Sequence, residues 1–510
     1  MARFKLVDMS PRFLPVVLEE QLVPGTFEFA LHTLIDSEFD LSALEAKFKN
    51  DETGAPAYDP AVMLKIVLLA YSRGMVRSRS IEQACVQNVL FMAISGDSKP
   101  AYTTIAAFVR GLGREIASIF TEVILVCDRQ GLIGRRMFAI DGVKLPGNAG
   151  KARSGTHEEL AQRAQAIEQR VKTLLKAHRE QDAKERGKAA ASQLETRAQQ
   201  INALKAQVKT IRQLLRTQPK RQSARGAETK SNLTDNDSAK MATGKGVIQG
   251  YTGAATVDAR HQIIVAAQAH GSGSEQSLLL PMVEQSRLFA SAQTIMTADA
   301  GYHSEQNLQE LDEKSIPALI ADAQMRKRDE RFKDQGKYKA LPDPLYDKGA
   351  GATTVSHGKF KSHDFTYDPD TNSCICPAGK HLYSNGSQCT TRGRTNHRFT
   401  GAKRDCVPCE LREQCLRTPD KTAVRHVAFF QKDVCHNKYT EAMRKRIDSP
   451  RGRALYGRRF ATVEPVFGNL RYNKGLDRFT LRGRRKVDTQ WKLYCMVHNI
   501  EKLAHHGYAQ

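Results

Sequence analysis

Long apolar runs are missing from this chain of 510 residues. No stretch approaches the roughly eighteen consecutive apolar residues of a membrane span, and the opening MARFKLVDMSPRFLP has no apolar core of signal-peptide type. The expectation is a soluble cytoplasmic protein with no membrane partner. Acids are in short supply too: 55 Asp and Glu face 78 Lys and Arg, for a net charge of +23 and a pI near 9.6. Such an imbalance disfavours cationic partners and favours a polyanion, of which nucleic acid is the common one. Ten cysteines are too few for a disulfide framework at this length. Cys85, Cys127 and Cys495 stand in apolar, helical surroundings and read as small buried hydrophobes. The others fall between Cys374 and Cys435.

What is present is enough for real cores, with 40% hydrophobic residues and a length that suggests about three domains. After Asp59 as N-cap, Pro60 suits a first helical turn, and Met63, Ile66, Val67, Ala70 and Tyr71 make one helical face. Ser80 is expected to cap a second helix through Cys85 and Leu90, and Thr103 or Thr104 to open a third. Short helices joined by SRGMVRSRS suit a DNA-binding module whose Arg73, Arg77 and Arg79 face phosphate. At Met137 the period changes: MFAID reads as a buried strand ending in Asp141. Apolar residues at 160, 164, 167, 171, 174 and 178, and at 201, 204, 208, 211 and 215, then form a coiled-coil seam. Gly187 between the halves favours a helical hairpin. Strands return in GYTGAATVD and HQIIVAAQAH, and again in QTIMTAD, which ends in Asp299 ahead of a helix that Ser304 can cap. The whole describes a mixed α/β sheet.

Later in the chain, Cys376, Cys406, Cys409 and Cys415 form a two-knuckle pattern with enough thiolates for a structural, tetrahedral Zn²⁺, with Cys374 or Cys389 as substitutes. From Arg444 to Lys486 fourteen Lys and Arg surround three acids, one of them Glu464. Trp491, the one tryptophan, shares a helical face with Val487, Tyr494 and His498 and is expected in the core.

Two strand-end aspartates and a helical glutamate can hold a pair of Mg²⁺ ions, because Mg²⁺ prefers hard oxygen ligands and phosphodiester chemistry needs charge neutralised at phosphorus. Asp258 and Asp235 are weaker choices for the first ligand than Asp141. FAIDG, TADAGYHS and RRFATVEPVFGNLRYNKGLDRF resemble the DDE transposases of bacterial insertion sequences, the cut-and-paste group, and YDPAVMLKIVLLAYSRGMVRSRSIEQA and NLTDNDSAKM resemble the branch with a cysteine-bearing insertion.

That resemblance implies a ribonuclease-H-like mixed sheet flanked by helices, with an N-terminal all-helical domain, a helical-hairpin insertion and a small zinc-ribbon-like insertion. Asp141, Asp299 and Glu464 would be the catalytic, metal-binding triad, 158 and 165 residues apart, using two Mg²⁺ with Mn²⁺ as a substitute. The segments would be 1–130 (helical, DNA-binding), 131–150 (first core strand), 151–230 (helical hairpin), 231–323 (core), 324–435 (basic, cysteine-containing) and 436–510 (core helices). Tyr456, Arg459, Glu464 and Arg471 stand near the family's Tyr, Arg, Glu, Lys signature; Tyr456 and Arg459 are one residue further upstream than it expects, and Arg brings a fork where Lys brings a point charge. With Lys474 and Arg478 they would grip DNA. The implied partners are double-stranded DNA, as element ends and target, and a second copy in a synaptic homodimer. A transposase-derived binding protein and a ribonuclease-H-like nuclease are the alternatives. Glu464 is expected to project toward Asp141 and Asp299. Pro465 beside it requires either a helix that begins there or a kink.

Overall fold

The computed structural model describes residues 15–48, 56–182, 188–222, 226–244, 246–332, 359–368, 371–386, 389–391, 394–430 and 438–509. They fall into two compact units, one of Met1–Ala323 with Met443–Gln510 and one of Gln324–Ala442. None of the helices among the described residues is long and apolar enough to cross a membrane.

The first unit opens with seven helices: α1 (Phe27–Glu38), α2 (Ser42–Glu45), α3 (Pro60–Ser72), α4 (Ser78–Gln87), α5 (Val89–Ser95), α6 (Tyr102–Gly111) and α7 (Glu115–Arg129). Asp59 caps α3 as its sequence requires, accepting the Ala61 amide at 2.7 Å. The helix expected from Ser80 to Leu90 is two helices instead. α4 starts at Ser78, and Asn88 ends it by capping α5 through the Leu90 amide. Asn competes well for backbone N–H groups at a cap, which is why it breaks the run.

The sheet consists of β1 (Met137–Pro146), β4 (Ala239–Thr243), β5 (Gly246–Asp258), β6 (Ile264–His270), β7 (Ile295–Ala298) and β8 (Ala318–Ile320), after the two-residue β2 (Ser154–Gly155) and β3 (Ser231–Asn232), which pair with each other. Its order is β4-β5-β1-β7-β8, with β6 also on β5. The long β5 is antiparallel to β1 along one edge; its other edge is shared, first by β4 and then by β6. β7 and β8 run parallel to β1.

Between β2 and β3 stand α8 (His157–Asp182) and α9 (Lys188–Thr217). Leu160 and Ala164 near the start of α8 pack on Ile211 and Leu214 near the end of α9, so the pair is antiparallel. Gly187, expected at the turn, lies outside the described residues. α10 (Leu279–Ser286) and α11 (Glu305–Glu313) follow β6 and β7, and Ser304 caps α11 through the Asn307 amide at 3.1 Å.

The second unit is a six-stranded sheet of β9 (Thr366–Asp368), β10 (Ser373–Ile375), β11 (His381–Ser384), β12 (Cys389–Thr391), β13 (Arg394–Thr400) and β14 (His426–Phe430), with the single-turn helices α12 (Lys403–Cys406) and α13 (Arg412–Cys415). Phe365, Cys374, Leu382, Phe399 and Val427 form its core.

Three helices end the chain: α14 (Lys438–Asp448), α15 (Pro450–Gly468) and α16 (Arg484–His505). α16 is covered by sheet and helices alike: Trp491, Leu493, Cys495, Met496, Val497 and Ile500 are fully buried. Trp491 lies against Gly253, where a Cβ would stand 3.0 Å from its ring, and donates its indole N–H to the Ala254 carbonyl at 2.9 Å. Asn499 exchanges both amide hydrogen bonds with the backbone of Ile264, each at 2.9 Å. α16 thus closes the outer edge of β6, whose backbone groups would otherwise invite another strand. His498 is buried between the Gln262 carbonyl and Asn469, a packing role.

Candidate active site

Parallel pairing of β1 with β7 runs from Met137↔Ile295 to Ile140↔Ala298. Asp141 and Asp299 are the next residue on each strand, so the two acids emerge side by side where the pairing stops. β7 ends there, as its sequence suggests. β1 does not: it continues to Pro146, because β5 supplies an antiparallel ladder as far as Gly250. Asp141 is therefore a mid-strand residue, fixed by the strand on its other side.

Asp141 is the most perturbed carboxyl of this region. Burial pushes it up to about 6; the Arg459 guanidinium and the Gly142 N–H pull it down, and the charges of Asp299 and Glu275 raise it. Arg459, itself buried, brings Nη2 to 2.8 Å from Asp141 Oδ2. The contact is between charges, for neither Nε nor Nη2 of Arg459 has an aligned hydrogen-bond partner among the described residues. Asp299 Oδ1 accepts the Gly301 amide at 2.8 Å, a turn that aims its carboxylate back over the strand end. Beside it lies Glu275, whose Oε1 pairs with Lys144 Nζ at 2.9 Å. Fully buried Tyr302 completes the group. Burial and then the charges of Asp141, Glu275 and Asp299 hold its phenol well above the usual range.

Glu275, Lys144 and Tyr302 escape a reading of the sequence. GSGSEQ looks only like the start of a helix; Lys144 follows Asp141 on β1 and Tyr302 follows Asp299 in the turn after β7, but the connection after β6 must return to these strand ends to bring Glu275 beside them. Asp258 and Asp235 are engaged by hydrogen bonds within the fold. Asp258 accepts backbone N–H groups from Gly134, Arg135, Arg260 and His261; Asp235 accepts the Tyr251 hydroxyl and the Gly483 amide.

α15 settles the question at Pro465. The helix begins at Pro450, capped by Ser449, and runs through Pro465 to Gly468 before a π-helical turn at Asn469–Asn473. A proline deprives the carbonyl four residues earlier of its partner, and here that carbonyl, on Ala461, accepts Gln262 Nε2 at 3.2 Å. The side chain α15 turns onto Asp141 is Arg459. Glu464, five residues later, lies about 140° around the helix from it at 100° per residue and is exposed. The acids whose charges raise Asp141 are Asp299 and Glu275.

Of the other basic candidates, Lys474 is buried and bonded to Glu501 at 2.7 Å, and Arg73 pairs with Glu28 at 2.8 Å and lies over the Phe91 ring, so both are committed inside the unit. Arg77 and Arg79 are exposed, Arg79 against Tyr102. Arg478 is exposed and reaches the Gly147 carbonyl; Arg471 lies over the exposed Tyr472 ring, and Tyr456 is half-buried on α15.

Among the described residues no three of His, Cys, Asp and Glu converge closely enough to hold an ion. The donor set at the strand ends is nevertheless all hard oxygen, the chemistry Mg²⁺ and Mn²⁺ select, and two of its acids are met by cationic side chains.

No curated protein matches the chain. Three family models do: a transposase domain (DUF772) over residues 16–111, and two models described as transposase DDE domain, over residues 212–348 and 375–504. Asp299 lies inside one DDE match and Glu464 inside the other, while Asp141 lies outside all three. The mixed sheet with helices around it is consistent with the ribonuclease-H-like core of such a domain, and with transposase models spanning most of its length the chain belongs to the DDE transposases.

Proposed function

We propose that this transposase binds the terminal inverted repeats of an insertion sequence, cuts the DNA at the element ends by hydrolysis, and joins the freed 3′-hydroxyl to target DNA by the same in-line displacement. The observation that carries the reading is the pair Asp141 and Asp299, brought side by side at the end of two parallel strands. They are the residues to hold a divalent cation; bound there, Mg²⁺ supplies charge neutralisation at phosphorus and a more acidic attacking water. The protein's own part is positional. The sheet fixes both acids, Arg459 keeps Asp141 from facing Asp299 uncompensated, and buried Tyr302 closes the floor. Glu464 completes the triad by motif rather than by contact, from the exposed side of a basic helix against which DNA would lie. Exposed Arg77, Arg79 and Arg478 and half-buried Arg471 are the cations proposed to meet phosphate, in a dimer that pairs two ends.

Supercoiled donor plasmid carrying the element ends, with purified protein and Mg²⁺, tests this. Excision with joined products supports transposition; binding alone favours a DNA-binding derivative, and nicking alone a nuclease. Joining that survives Asp299→Asn would sink the catalytic assignment.

In the second unit, Cys376, Cys406, Cys409 and Cys415 are proposed to hold a structural Zn²⁺. All four line one cavity. Cys376 Sγ accepts the Lys380 amide at 3.4 Å across a turn in which Gly379 takes a φ of 74°. Burial raises the Cys415 thiol, Arg425 opposes this, and Cys406, Cys376 and Cys409 raise it further, which marks the four as neighbours. Cys374 is instead a core residue, and the Cys389 thiol points to the carbonyls of Asn385 and Gly386. Colorimetric release of about one zinc per chain on thiol modification, lost in Cys409→Ser, is the expected result.

A further inference from the structure

After β6 the chain returns over the strand ends and places Glu275 above Gly301. A Cβ at Gly301 would stand 2.1 Å from Glu275 Oε2 and 3.0 Å from Asp299 Oδ1, so those two oxygens lie within about 5 Å of each other. On the floor of the same group, Tyr302 has no exposed surface and its hydroxyl has no hydrogen-bond partner among the described residues. It is aimed at the backbone beside Asp141, for a Cβ on Gly142 would stand 3.1 Å from Oη. A buried donor left unpaired costs free energy, and the charges of Asp141, Glu275 and Asp299 all reach this one. Like charges drawn together also cost free energy unless compensated. Arg459 on Asp141 and Lys144 on Glu275 compensate two of them; Asp299 is held only by the N–H of its own turn among the contacts described.

We infer that Glu275 acts with Asp141 and Asp299 as a ligand of a hard divalent cation, and that the Tyr302 hydroxyl is the donor that orients this oxygen set. The inference rests on the reading of Asp141 and Asp299 as cation ligands and adds a fourth acid to the Asp141, Asp299 and Glu464 of the family motif. Glu275 is tethered by Lys144, so its carboxylate is already at the strand ends before DNA binds. Tyr302 is a positioning residue: an oriented donor one step from the ligands fixes their geometry and is worth about tenfold or more in metal affinity.

Mn²⁺ binding to the full-length chain without DNA, read by electron paramagnetic resonance and by the Mn²⁺-induced rise in Tm, tests it. Glu275→Gln is expected to weaken binding about tenfold or more, with exposed Glu284→Gln as an unaffected control. Tyr302→Phe is expected to bind Mn²⁺ more weakly by about tenfold or more while its metal-free Tm stays level or rises, since an unpaired buried hydroxyl is removed. Wild-type affinity in Glu275→Gln, with binding weakened in Asp141→Asn and Asp299→Asn, would overturn the role of Glu275 and leave the aspartate pair standing. Wild-type affinity in those two variants as well would overturn the pair itself. Because a substituted chain can fail to fold, Fe²⁺-directed hydroxyl-radical cleavage of the wild-type chain gives an independent reading. Cuts near residues 141–142, 275 and 299–302 are expected, and cuts at the aspartates without one near residue 275 would overturn the inference.

Discussion

Asp141 and Asp258 belong to the same pair of strands, three residues of register apart, with Phe138 opposite Asp258 and Asp141 opposite Ala255. Asp258 is fully buried and Asp141 half-buried, and they make different contacts. Asp258 gathers four backbone N–H groups from the turns at residues 134–135 and 260–261 and so ties two connections to the sheet. Asp141 faces a guanidinium and two further acids, and burial pushes its carboxyl up to about 6. A buried carboxylate surrounded by amides is satisfied by its own fold. One placed among other carboxylates keeps oxygens that a cation could use, and that contrast supports the proposal of Asp141 rather than Asp258 for the site.

The contrast can be broken most directly by exchanging charge for amide at the functional end. Asp141→Asn and Asp299→Asn are each expected to reduce strand transfer by about a thousandfold or more, measured as joined product in Mg²⁺, with the circular dichroism of the folded chain retained. At the structural end, Asp258→Ala is expected to cost about 3 kcal/mol by leaving several buried N–H groups unpaired, seen as a lower denaturation midpoint. If Asp258→Ala instead kept its stability and lost only activity, the two acids would not differ as argued.

A pH series sharpens the same point with a smaller effect. The folded Asp141 holds its proton more tightly than the unfolded chain does, so it opposes folding once ionised above about pH 6. The metal-free protein should gain about 1 kcal/mol from this group between pH 7 and pH 5, and the gain should be missing in Asp141→Asn when the two denaturation profiles are subtracted. Smallest is the contribution of the exposed cations. Arg77→Ala with Arg79→Ala is expected to weaken binding to duplex DNA several-fold and to lower the slope of log K against log salt by about 2. An unchanged slope would remove these arginines from the interface.

Much of this was legible in the chain order. The N-cap at Asp59 and the buried strand FAIDG follow from local patterning, and so do the cap at Ser304 and the burial of Trp491. The split at Asn88 was not foreseen, because a polar residue inside an apolar run signals a break only once its side chain is seen to cap. The continuation of β1 past Asp141 was also hidden, since its ladder partner lies more than a hundred residues away.

What the sequence by itself determined, then, is the membership of the DDE transposases, the basic character that suits DNA, and the nomination of Asp141 and Asp299 at the ends of like patterns of buried residues. Such features are written in local periodicity and composition, which survive without knowledge of neighbours. Only the tertiary structure decided which side chains surround those acids. It placed Glu275, Lys144 and Tyr302 beside them, turned Arg459 onto Asp141, and committed Lys474 and Arg73 to internal pairs. The reason is geometric: a helix turns by about 100° per residue, so five positions separate a contact from an exposed face, and loops from distant strands meet only when the sheet order is fixed.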